Sequence, residues 1–162
     1  MKKLKVDVED VALIMENQDR FGSQYYLDTE TGEAILIPEE LMDALEEGES
    51  CEDLPAWEIE ILPQAKAIFE ESERYEEIPT RPSHEAYDVI VEFASDVKDG
   101  RVRSRLESAF HGKGAFRRFK DTLREYPEIE KEWFKFKAEK DREMVKDWLV
   151  SIGIKLEDIN PV

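Results

Sequence analysis

Gly112, Lys113 and Gly114 set a cation between two glycines, and the helical pattern that follows carries Arg117, Arg118, Lys120 and Arg124. Residues of these types in this order are the ingredients of an anion site. A glycine turn bares backbone N–H groups, the helix start adds partial positive charge, and guanidinium and ammonium groups complete the grip. Arg117, Lys120 and Arg124 fall at i, i+3 and i+7, along one flank of a Phe116/Phe119/Leu123 stripe, while Arg118 points elsewhere on the wheel. His111 adjoins the turn and joins the candidates, although a histidine so placed more commonly caps a helix end. A nucleotide-binding P-loop is excluded, because it needs glycine five positions before the Gly-Lys pair and Ser or Thr after it. Positions 107 and 114 are Glu and Gly, and a helical pattern precedes the turn.

The same residues also have an architectural reading. The glycines would punctuate helices, the phenylalanines would be core, and the basic flank would pair with acids of the same chain. EWFKFKAEKDREMVKDWL sharpens that reading. Its apolar arc is Trp133, Phe134, Met144, Val145, Trp148 and Ile152, with Lys137 and Asp141 inside it. An acid on an apolar face must find a partner or destabilise the fold, so Asp141 is predicted to contact Arg117, Arg118 or Lys137.

Other constellations carry less. His84 and His111 are far apart and neither has a ligand at helical spacing, so no metal site is predicted. Acids are so abundant that pairs such as Glu39/Glu40 say nothing about acid–base chemistry. DTETGE lacks the length and closing glutamate of a calcium loop. Trp57, Trp133 and Trp148 lie in periodic apolar patterns and are expected in the core. Cys51 is the sole cysteine, set among acids that disfavour its thiolate. No catalytic residue and no cofactor are assigned.

Val8, Val11, Ala12 and Met15 predict a helix over 7–17. Gln24–Asp28 and Glu33–Ile37 flank a polar loop ending in Gly32 and predict a bulged hairpin. Pro38 opens a short helix that Gly48 stops, and a loop follows over 49–55. The alternation of Trp57, Ile59 and Ile61 predicts a third strand, with a helix after Pro63 and an extended segment over 74–79. Ser83 is expected to cap a helix with the stripe Ala86, Ile90, Phe93, Ala94 and Val97. Helices with stripes Val102/Leu106/Ala109/Phe110 and Phe116/Phe119/Leu123/Tyr126 come next. Pro127 starts a long one that Gly153 stops. These elements specify an α+β fold. A small antiparallel sheet built on the hairpin at about 24–37 packs against several helices, and the C-terminal half is helical. No linker divides residues 1–162, so one domain is expected.

The chain has a net charge of −17 and 41% hydrophobic residues, enough apolar content for a core. Its charge is uneven: residues 1–97 sum to −20, residues 98–124 to +6 and residues 125–162 to −3. The first residues are basic but reach Asp7 before any apolar block, so no signal peptide is predicted. No apolar run approaches the roughly 18 residues of a membrane span. With a single cysteine, these features predict a cytoplasmic protein.

YYLDTETGEAILIP, EEIP, SHEAYDVIVEFASDV, GKGAFRRFKDTL, EWFKF and DWL, in that order from Tyr25 to about Ile154, resemble a bacterial family catalogued as uncharacterised protein family 0158. GKGAFRRFK is the most specific piece. The resemblance implies a bacterial cytoplasmic protein and carries over no catalytic residues. The leading expectation is therefore a non-enzymatic binding or regulatory module. Its basic strip would engage a nucleic acid backbone or an acidic protein. Two alternatives are a phosphate-handling, magnesium-assisted hydrolase and an acidic surface that binds a basic protein.

Overall fold

The computed structural model describes residues 1–17, 22–48 and 54–158. Cys51 and most of the loop expected over 49–55 lie outside the described residues. The fold is α+β, and the chain divides into two compact units: Met1–Thr80 with Met144–Val162, and Arg81–Glu143.

The first unit begins with β1 (Lys2–Val6) and α1 (Val8–Glu16). Asp7 caps α1, its side chain accepting from the Asp10 N–H at 3.1 Å, and Val8, Val11, Ala12 and Met15 are buried as their spacing requires. The hairpin follows as β2 (Ser23–Asp28) and β3 (Ala34–Pro38). Gly32 has φ +81°, and a Cβ there would lie 2.0 Å from the Lys5 carbonyl oxygen, so both the loop and the approach of β1 demand glycine. Next come α2 (Glu39–Glu47), α3 (Ala56–Glu70) and β4 (Tyr75–Glu77), with β5 (Ile154–Asp158) at the other end of the chain. β2 lies between β3 and β4, both antiparallel to it, and β1 pairs in parallel with β5.

Alternation along β2 and β3 sends side chains to two cores. Tyr25, Leu27 and Ala34 pack with α1, β1 and β5, and with Val145 and Leu149. Tyr26, Ile35 and Ile37 pack against Leu41 of α2 and Ala65 and Ile68 of α3. The strand predicted from Trp57, Ile59 and Ile61 is thus corrected to the start of α3. Helical spacing wins because Ile61, Leu62, Ala65 and Ile68 share one buried face. Trp57 and Ile59 are left 57% and 50% exposed, so Trp57 is not a core residue. Pro63 sits inside α3, where its missing N–H leaves the Ile59 carbonyl without its helical donor.

The second unit holds α4 (Ser83–Ser95), α5 (Gly100–Glu107), α6 (Ala115–Arg124) and α7 (Pro127–Ser151) as far as Glu143. Ser83 is the first residue of α4 and Pro82 takes the cap position, because proline's fixed φ suits the entry to a helix. Phe119 is fully buried, edge-on to Trp133 at 4.9 Å between ring centroids, and Phe93 stands edge-on to Trp133 at 5.3 Å. Two phenylalanines depart from their expected stripes. Ala115 is buried where Phe116 was expected, and Phe136 packs inward while Phe134 is exposed. The rest of each expected stripe stays inward, with Phe119, Leu123, Trp133 and Val145 buried.

Candidate functional site

The chain leaves α5 at Glu107 and re-enters a helix at Ala115. Between them Gly112 and Gly114 take left-handed φ values of +64° and +82°. Gly114 holds the cap position of α6 and supplies no side-chain oxygen, so the first N–H groups of α6 have no capping side chain.

Arg118 holds this turn from within. Its Nε donates to the Ala109 carbonyl at 3.2 Å and its Nη1 to the Lys113 carbonyl at 2.7 Å, while Nη2 donates to the His111 carbonyl. A Cβ on Gly114 would stand 3.2 Å from Nη1, so the glycine gives the guanidinium room. The planar fork of arginine suits three carbonyls spread around a tight bend, which a lysine could not span.

The other candidates face outward. Lys113, Arg117 and Lys120 are exposed, and no carboxylate among the described residues pairs with them. Arg124 continues their flank and reaches Asp121 at 3.2 Å, an exposed pair one helical turn apart. His111 is exposed beside the turn. Phe116, which the sequence pattern assigns to the core, is 38% exposed among these cations. The i, i+4, i+8 spacing of Ala115, Phe119 and Leu123 is the signal that would have found it. Arg105 of α5 meets the residues that follow the far end of α6. Hydrogen bonds to the Tyr126 hydroxyl at 2.8 Å and to Glu125, whose carboxylate is 2.7 Å away, push its guanidinium pKa up.

Asp141 is paired elsewhere. Lys137 Nζ lies 2.8 Å from its Oδ2, and buried Arg81 lies 3.4 Å from its Oδ1. Arg81 was legible only as a lone arginine between Thr80 and Pro82. Arg117 and Arg118 take no part in that network. Among the described residues no group of three or more His, Cys, Asp or Glu is arranged to hold a metal ion. No helix among them is long and apolar enough to cross a membrane.

The site is therefore a turn pinned from inside, with Lys113, Arg117 and Lys120 projecting around an exposed phenyl ring. Compared with known proteins, the chain matches the sequence profile described as Uncharacterised protein family (UPF0158) over residues 4–160. It is 25% identical over 150 residues to the UPF0158 protein PA5073 of Pseudomonas aeruginosa, covering 92% of this chain and 84% of that protein. No solved structure matches it.

Proposed function

Starting from the fact that this chain belongs to uncharacterised protein family UPF0158, a name that assigns no reaction, we propose that it is a non-enzymatic cytoplasmic binding module for single-stranded nucleic acid. The observation that carries this reading is the exposure of Lys113, Arg117 and Lys120, without carboxylate partners, around Phe116. Cations that track phosphates and an aromatic face that stacks a base are the two parts of such a site. Arg118 fills the inside of the turn, where a hydrolase would seat a small phosphate substrate, and this favours binding along the outer flank.

The test is fluorescence anisotropy with a labelled single-stranded oligonucleotide. Three phosphate contacts give a salt slope near −2, so affinity should fall roughly fifteenfold from about 50 to 200 mM KCl. Combined replacement of Lys113, Arg117 and Lys120 by alanine should remove most of the binding, and Phe116→Ala should cost about 1–3 kcal/mol. Equal affinity for polyglutamate, insensitive to Phe116→Ala, would transfer the site to an acidic protein. An absence of binding to either probe at low salt would end the proposal.

A further inference from the structure

A second surface lies in the first unit, along the outer edge of β3. Among the described residues the three-stranded sheet ends there, since β3 pairs with β2 alone. The Asp28 N–H donates to the Glu33 carbonyl at 2.9 Å and the Glu39 N–H to the Gly22 carbonyl at 2.8 Å. With the register Gln24↔Ile37 and Tyr26↔Ile35, these bonds fix which residues of β3 turn their peptide groups toward β2. Ile35 and Ile37 do so. Ala34 and Leu36 turn theirs away, leaving two donors and two acceptors along the edge without a hydrogen-bond partner among the described residues.

That edge opens into a cleft rather than onto flat surface. A groove of about 630 Å³ runs along Ala34, Ile35 and Leu36, lined also by Asp7, which caps α1, by Asp10 of α1 and by Gln64 of α3. Leu36 also borders two neighbouring clefts, one reaching Leu13 and the other Trp57. Leu13, Leu36 and Trp57 are 65%, 46% and 57% exposed. An unpaired strand edge lined by exposed apolar side chains is the setting in which an extended peptide adds as a further strand.

The charge around the groove selects the occupant. Asp7, Asp10 and Glu33 line it, with Lys5 as the lone cation among the described residues. Glu39, Glu40 and Asp43 line the neighbouring cleft that Leu36 shares with Trp57. A second copy of this chain fits poorly. An antiparallel pairing centred on Leu36 would set Glu33 of one copy opposite Glu39 of the other, and like charges directly opposite destabilise a sheet. We propose that the β3 edge captures an extended, lysine- or arginine-rich segment of a partner protein by strand addition. Alternate apolar side chains of that segment would rest on Leu13 and Leu36, and its cations would meet the acidic rim. This surface is independent of the basic strip on α6, and either could fail without the other.

The experiment uses the full chain and a synthetic peptide of about seven residues alternating valine and lysine, long enough to span the strand. Backbone hydrogen exchange is read by NMR with and without the peptide. Binding should slow exchange at Ala34 and Leu36 and leave Ile35 and Ile37 unchanged, since those two already bond to β2. N-methylating the peptide at one set of alternate residues should weaken binding at least about tenfold, while methylating the other set should change it by less than about twofold. Asp10→Lys with Glu33→Lys should also lower affinity about tenfold. Exchange at Ala34 and Leu36 that ignores the peptide, or equal binding of both methylated peptides, would overturn strand addition. Failure of the unmodified peptide to bind at low salt would overturn it as well.

Discussion

Asp28 shows how one side chain closes a fold. It ends β2 almost fully buried, and its carboxylate accepts from Arg74 Nε and Nη2 at 2.9 and 2.8 Å and from the Glu30 N–H at 2.9 Å. The Arg74 hydrogen bonds are the main reason its carboxyl is held down at about 2, and burial works against them. A folded-state pKa below the unfolded one adds stability above about pH 4 that is lost as the pH falls toward 2. Chemical denaturation of the wild type and of Asp28→Asn should therefore differ by roughly 2 kcal/mol at pH 5, and the gap should shrink as the pH approaches 2. A gap that stays constant over this range would mean that shape rather than charge holds the loop. Glu30 and Glu71 also lie near Arg74, at 3.2 and 3.5 Å, but both are largely exposed and add little.

At the scale of elements, the turn into α6 depends on one arginine. Removing the Arg118 guanidinium deprives three carbonyls of their donors. Arg118→Ala should cost about 1–3 kcal/mol, measured by thermal or chemical unfolding. Arg118→Lys keeps the charge but not the fork, and should lose nearly as much stability and oligonucleotide affinity. Wild-type behaviour in the lysine variant would mean that charge, not bracing, is what Arg118 provides. Glycine punctuation and apolar periodicity made the turn and its flanking helices legible in advance, as they did the hairpin and α2. The inward role of Arg118 was not legible, because a helical wheel cannot show a side chain folding back on the preceding loop. β1 and β5 were missed for a related reason. Lys2 pairs with Ile154 and Val6 with Asp158, so neither strand has a local partner or turn to announce it. α3 was misread because three alternating apolar residues fit a strand and one helical flank equally well, and only the core at Ala65 and Ile68 decides between them.

Across the whole molecule, charge follows the division into units. Residues 81–143 carry 15 Lys/Arg against 14 Asp/Glu, a net +1, while the remaining residues carry 8 against 26, a net −18. The two binding proposals fall on opposite sides of this division. The basic strip belongs to the balanced unit, where outside phosphates meet little local repulsion. The β3 edge belongs to the acidic unit, whose rim would draw a cationic chain. Salt should therefore act on the first unit and on binding with opposite signs. Raising NaCl from about 20 to 300 mM screens repulsion among exposed carboxylates, so native-state exchange should slow at buried amides of the first unit such as Leu27 and Ile37. Buried amides of the second unit, such as Phe119 and Trp133, should change little. The same salt should weaken oligonucleotide binding at α6 and peptide binding at β3. Equal stabilisation of both units by salt would show that the uneven charge has no energetic consequence, and would remove the electrostatic ground on which both partners were assigned.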